Sequence, residues 1–250
     1  MPFYFSLAEL TTILQPNLLQ TSDANLDISV LGITTDTRSI KPQELFVALV
    51  GENFDGHNFV AQALEGGAIA VIVDRQIESC NVPQFIVKDT LEAYQQIARW
   101  WRDRFEIPVI GITGSVGKTS TKELVSAVLG TQGKVLKTEA NFNNEIGVPK
   151  TLLQITSEHS YAVIEMAMRG TGEIALLTEI VRPTIGVITN VGTAHIGRLG
   201  SREAIAQAKC ELLAQMPATS IAVLNHDNDL LLKTAEKVWQ GKTITYGLTG

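Results

Sequence analysis

The stretch GITGSVGKTSTK, residues 111–122, decides how this chain is read. An apolar strand, residues 108–113, runs into a glycine turn, and a helix leaves that turn through Lys118, Thr119 and Ser120. Glycines let backbone N–H groups close on an anion, and the start of the following helix favours negative charge. In such a cradle Gly114, Ser115, Gly117 and Ser120 line the phosphates. Lys118 reaches the terminal ones, and the Thr119 hydroxyl sits on a magnesium ion. The spacing departs from G-x-x-x-x-G-K-[ST] at one position, because Ile112 stands where the first glycine is usual, with Gly111 and Gly114 on either side. A plain glycine turn with a solvated lysine is the other reading. Strand, turn and helix all agree on the phosphate loop, so the chain is expected to bind a nucleoside triphosphate.

Outward from this loop, the pattern from Val109 onward is an alternation of strands and helices. The strands are VIGIT (109–113), YAVIEM (161–166), IGVIT (185–189) and SIAVLN (220–225); helices are expected over 119–129, 147–154, 172–181 and 201–216. Near-continuous apolar strands between helices define a mostly parallel sheet covered on both faces. The first hundred residues read as a smaller α/β unit, with short strands at 31–34, 45–49, 68–73 and 84–87 and helices over 57–65 and 91–105. Pro108 discourages helix at the residue before it, which places the boundary at Glu106–Ile107. Two domains are expected, residues 1–106 and 107–250. A further strand at 243–246 comes just before the last residue, where such a sheet normally continues, so the second domain is expected to be truncated.

At 250 residues, with 45% hydrophobic and 18% charged side chains, the chain has the composition of a globular protein with a real core. Its net charge of −6 argues against general attraction to nucleic acid or an acidic membrane surface. An anionic substrate must then be met by local lysines, arginines and backbone amides. Cys80 and Cys210 make no disulfide framework and read as small buried groups in a reducing compartment. The start, MPFYFSLAEL, lacks the basic region of a signal peptide, and no apolar run approaches the ~20 residues of a membrane span. A cytoplasmic, monomeric protein without membrane insertion or nucleic-acid partner is expected.

Four further places carry chemistry. Glu165 ends an apolar strand, where a carboxylate can face the crevice at the strands' carboxyl ends or be merely exposed. His195 lies in the glycine-rich loop NVGTAHIGRLGS, residues 190–201, while His57, His159 and His226 sit among polar residues and are expected to be solvated. Lys209, in SREAIAQAKCELL, lies on the apolar edge of its helix. Either its stem covers the core, or a partly buried neutral amine has taken up CO2 to become a carbamate, an oxygen ligand for a hard metal. Asn141, Asn143 and Asn144 can contact a nucleotide without adding charge, or serve as turn-formers capping the next helix.

In combination these segments resemble the Mur ligases, ATP-dependent amide ligases of peptidoglycan precursor synthesis. The P-loop, TEANFNNEIGVPKTLL, VIEMAMRGTGEI, ITNVGTAHIGRLGS and AKCELL occur here in that family's order, and ITTDTRSIKPQELFVALVGENFDGHNFV resembles its UDP-substrate domain. The N-x-N-N-E-I-G-V-P and M-R-G-x-G-E-I forms are most similar to the branch that joins D-Ala-D-Ala to UDP-MurNAc-tripeptide. Two positions depart from the pattern: Ala167 where glycine is common, and Ser115–Val116 in a variable part of the loop. The resemblance implies that Lys118 and the loop amides hold the ATP phosphates and that Thr119 and Glu165 bind a first magnesium. It implies that His195 and a carbamylated Lys209 help place a second, and that Asn141 and Asn144 line the nucleotide side. Residues Thr35, Asp36, Thr37, Arg38 and Ser39, with Asp55, Gly56 and His57, would meet the UDP-sugar. The implied catalytic residues are Lys118, His195 and Lys209. A C-terminal ligase domain of about 200 residues, an ordinary domain size, would complete the site. Relatives that add diaminopimelate or lysine, folylpolyglutamate synthetase-like ligases, and a P-loop module without catalysis stay open as alternatives.

Overall fold

The computed structural model describes residues 3–20 and 26–248, and the chain divides into two compact units, residues 1–100 and 101–250. In the first unit the strands are β1 (Phe5–Ser6), β2 (Leu18–Gln20), β3 (Ser29–Val30), β4 (Gly32–Thr34), β5 (Glu44–Val47), β6 (Val50–Gly51), β7 (Phe54–Asp55), β8 (Ala70–Val73) and β9 (Gln84–Ile86). Its helices are α1 (Leu7–Leu14), α2 (Val60–Glu65) and α3 (Thr90–Arg102). The main sheet runs β2-β9-β8-β5-β4, parallel except for β2. Phe46, Val71 and Val73 face α2 residues Val60 and Ala63 in the core of this unit. The helix expected over 57–65 begins as a 3-10 turn, Gly56–Phe59, because Asp55 Oδ1 accepts from the His57 N–H and caps a tighter first turn.

The second unit holds β10 (Val109–Thr113), α4 (Lys118–Leu129), β11 (Lys134–Lys137), α5 (Gly147–Leu152), β12 (His159–Glu165) and α6 (Glu173–Val181). It continues with β13 (Ile185–Ile188), α7 (Ile196–Leu199), α8 (Arg202–Gln215), β14 (Ile221–Asn225), α9 (Asp229–Ala235) and β15 (Lys242–Tyr246). Six parallel strands take the order β11-β12-β10-β13-β14-β15. Ile110, Ile112, Val163 and Val187 bury one face of this sheet against Val125 and Leu129 of α4. Because the strands are parallel, β12, β10 and β13 end on one edge, and the connections after them open a crevice there.

The division at residues 100 and 101 falls inside α3, ahead of the proline. Trp101 and Arg102, both buried, already serve the second unit. The Trp101 indole donates to the Ile155 carbonyl at 3.0 Å, and the Arg102 guanidinium donates to the carbonyls of Val181 and Arg182, closing the end of α6. Among the described residues no helix is long and apolar enough to cross a membrane.

Candidate active site

The loop between β10 and α4 carries two glycines with positive φ. Gly117, at +81°, lets the chain turn into α4 so that Lys118 and Thr119 start the helix. Gly114, at +152°, passes so close to Thr189 that a Cβ there would lie 1.9 Å from Oγ1. The Lys118 ammonium folds back onto the loop, donating to the Gly114 carbonyl at 2.8 Å. Burial pulls its pKa below the ordinary lysine value, with the Glu165 charge acting the other way.

Glu165 ends β12 and is 3% exposed. Both carboxylate oxygens are engaged: Thr119 Oγ1 donates to Oε2 and Asn143 Nδ2 to Oε1, each at 2.9 Å. Its backbone N–H donates to the buried Thr138 hydroxyl, and the Thr138 carbonyl accepts from the Lys122 ammonium at 2.8 Å. A buried carboxylate facing a helix-start hydroxyl suits a hard cation. Such a cation takes oxygen ligands and fills its remaining positions with phosphate oxygens and water, so these two residues fit magnesium.

Lys209 lies on α8 with 1% exposure, and its ammonium makes no hydrogen bond or ion pair among the described residues. Burial first, and then the Lys118 charge, bring its pKa from 10.5 down to about 8. A large share of this amine is therefore neutral near that pH, the form that reacts with CO2, so the residue fits the carbamate chemistry. His195 differs. It precedes α7 in a left-handed conformation, φ +67°, is exposed, and among the described residues makes no hydrogen bond or ion pair to Lys118, Glu165 or Lys209. Among the described residues no three His, Cys, Asp or Glu side chains converge as a metal site.

Of the remaining loop residues, Ser115 Oγ accepts from the Gly192 N–H at 2.9 Å, and Ser120 is exposed on α4. The asparagines separate by role. Asn144 Oδ1 accepts from the N–H groups of Ile146 and Gly147 at the start of α5, Asn141 is exposed, and Asn143 alone reaches Glu165. Nothing in the sequence singles Asn143 out of the three, since the choice is made by the turn they share.

In the first unit a cavity of about 590 Å³ is lined by Thr35, Asp36, Thr37 and Arg38 together with Phe46, Phe54, Phe59 and Gln62. The Phe54 and Phe59 rings stack at 5.3 Å and 16°. Arg38 lies along Asp36, with Nε and Nη2 donating to its two oxygens at 2.9 and 2.7 Å. Ser39, Asp55, Gly56 and His57 do not line this cavity. The His57 ring, expected to be solvated, is buried, because both nitrogens have partners: Nδ1 meets Asp55 Oδ1 at 2.6 Å and Nε2 accepts from the Asp74 N–H at 3.0 Å. Hydrogen bonds from the His57 N–H, then from Arg75 and the His57 ring, hold Asp55 well below the usual carboxylate range.

A glycine loop of the phosphate-binding type, the buried glutamate at the end of β12 and the buried lysine of α8 make up the candidate site. Family profiles agree: the Mur ligase middle domain matches residues 112–250, and the Mur ligase family, catalytic domain, matches residues 29–102. The chain belongs to the Mur ligase family. It is 61% identical over 247 residues to the UDP-N-acetylmuramoyl-tripeptide–D-alanyl-D-alanine ligase of Synechocystis sp., covering 98% of this chain and 54% of that protein. A crystal structure of MurF from Acinetobacter baumannii matches with a TM-score of 0.90 and 33% identity, covering 100% of this chain and 55% of its own. MurF ligase from Thermotoga maritima in complex with ADP matches at 0.81 and 33% identity, covering 87% of this chain and 50% of its own. The mixed α/β architecture with its six-stranded parallel sheet is that of these structures. The chain spans about half the length of the curated relatives it matches.

Proposed function

We propose that this chain is the substrate- and ATP-binding part of a cytoplasmic ligase that joins D-Ala-D-Ala to UDP-MurNAc-tripeptide in peptidoglycan precursor synthesis. The observation that carries the reading is Glu165, buried between Thr119 and Asn143 beside the Lys118 loop. Residues 107–250 bind ATP and residues 1–106 bind the UDP-sugar, with the cavity above Phe54 and Phe59 taking its uridine end. In the reaction the tripeptide's terminal carboxylate attacks the γ-phosphorus, giving an acyl phosphate and ADP. The D-Ala-D-Ala amine then attacks the carbonyl carbon and phosphate leaves, so no enzyme nucleophile is required.

Carboxylate and triphosphate repel each other, and the protein's task is to offset that repulsion. Lys118 and the loop N–H groups hold the phosphate charge. Thr119 and Glu165 would hold a magnesium ion, whose chemistry is to neutralise the phosphate oxygens. Asn143 fixes the Glu165 carboxylate in place. Lys209 as a carbamate would offer oxygen ligands to a second ion, whereas the exposed His195 ring does not fit as its partner in this structure.

The test is amine-dependent ADP release by the complete gene product, supplied with UDP-MurNAc-tripeptide and D-Ala-D-Ala, lysine or glutamate. Release with D-Ala-D-Ala and a hydroxamate on trapping with hydroxylamine are expected. A response to glutamate alone would refute the substrate assignment, and nucleotide binding without any hydroxamate would refute the ligase chemistry.

A further inference from the structure

Val116, in the middle of the phosphate loop, has a side chain 66% exposed, so packing does not fix its position. Its backbone is instead paired by one side chain from the segment after β13. Asn190 Oδ1 accepts from the Val116 N–H and Asn190 Nδ2 donates to the Val116 carbonyl, both at 3.1 Å. Thr189 Oγ1 donates to the same carbonyl at 2.7 Å. On the adjoining residue, the Ser115 N–H donates to the Asn190 carbonyl at 3.1 Å. These bonds join the loop to the connection that leads to His195.

Thr189 is itself anchored. It is 4% exposed, and its N–H donates to the Thr113 carbonyl at 3.0 Å. Its carbonyl accepts from Asn225 Nδ2 and from the Tyr246 hydroxyl, both at 3.1 Å. Asn225 and Tyr246 end β14 and β15, so a polar chain crosses the carboxyl edge of the sheet and finishes on the phosphate loop.

We propose that Asn190, supported by Thr189, is a positioning residue that holds the phosphate loop in its anion-binding shape before a phosphate arrives. This rests on reading residues 114–118 as a phosphate site. An amide suits the task because it offers an acceptor and a donor to one residue's N–H and C=O, whereas a carboxylate only accepts. Without the clamp the loop samples other shapes, and affinity falls by the fraction of time it is competent.

The test uses this chain with ADP as the probe. Dissociation constants are measured by calorimetry for wild type, Asn190→Ala, Thr189→Val and Thr189→Ser, with the Tm of each and the exchange rate of the Val116 amide. Asn190→Ala and Thr189→Val should weaken ADP about tenfold, the effect of a competent fraction near one in ten, while Thr189→Ser binds as wild type. The Val116 amide should exchange slowly in nucleotide-free wild type and quickly in Asn190→Ala. Unchanged ADP affinity in folded Asn190→Ala overturns the proposal. If that variant does not fold, the Thr189→Val and Thr189→Ser pair decides in its place. Fast Val116 exchange in wild type overturns the clamp itself. Slow exchange without any ADP binding instead defeats the phosphate-site reading and leaves the clamp standing.

Discussion

The crevice of the second unit and the cavity of the first are built on opposite principles. In the crevice, Glu165 and Lys209 are almost wholly buried and Glu165 is held at three points: both carboxylate oxygens and its backbone N–H. In the cavity, Phe54 and Phe59 stand 49% and 37% exposed, and Arg38 leans on Asp36 in open solvent. Charge fixed in advance is what phosphoryl transfer needs, since the stabilising groups then require no rearrangement during reaction. An open aromatic platform suits recognition of a flat, mostly neutral group, where area counts more than exact placement.

That contrast predicts effects of very different size. Glu165→Gln should cost the most, about 100-fold in magnesium-dependent nucleotide affinity, because it removes the carboxylate charge while keeping its shape. A calorimetric titration with and without magnesium reads this, and equal affinity in both proteins would remove Glu165 from the metal site.

Lys209 should show the cost of a buried charge as stability. Its folded pKa of about 8 lies below the 10.5 of an ordinary lysine. Between these values the unfolded chain holds more protons, so stability rises with pH across about 8 to 10.5, and the cost is fully present below that window. Lys209→Met should therefore stabilise the ligand-free chain at pH 7 by about 3 kcal/mol and flatten this pH dependence. Thermal melts across the window check it; an unchanged or lower Tm at pH 7 would contradict the burial argument.

The smallest effect belongs to the open cavity. Phe59→Ala should weaken UDP binding about fivefold, near 1 kcal/mol for one lost aromatic contact, and leave ADP affinity unchanged. Loss of both affinities together would show that the two regions are not independent in this respect.

The sheet and the loop were legible because their signals are local. Apolar runs such as VIGIT and YAVIEM state their own strands, and Gly114, Gly117 and Lys118 state the turn between strand and helix. β11 was harder to see. Its sequence, KVLK, has lysines at both ends, as expected of a strand at the edge of a sheet. α1 begins on a local signal of the same kind, the Ser6–Glu9 capping box. His57 shows the limit more clearly. Its buried ring depends on the N–H of Asp74, 17 positions away, which no local pattern reveals. The Asn143 contact and the Thr189–Asn190 clamp depend in the same way on strands brought side by side.

If residues 114–119 with Glu165 form an ATP site, a calorimetric titration of this chain with ATP and magnesium will show it. Wild type should bind ATP more tightly with magnesium than without, and Lys118→Ala should lose about 100-fold in affinity while keeping its Tm. Equal binding by wild type and Lys118→Ala, or none by a folded wild-type chain, would contradict the account.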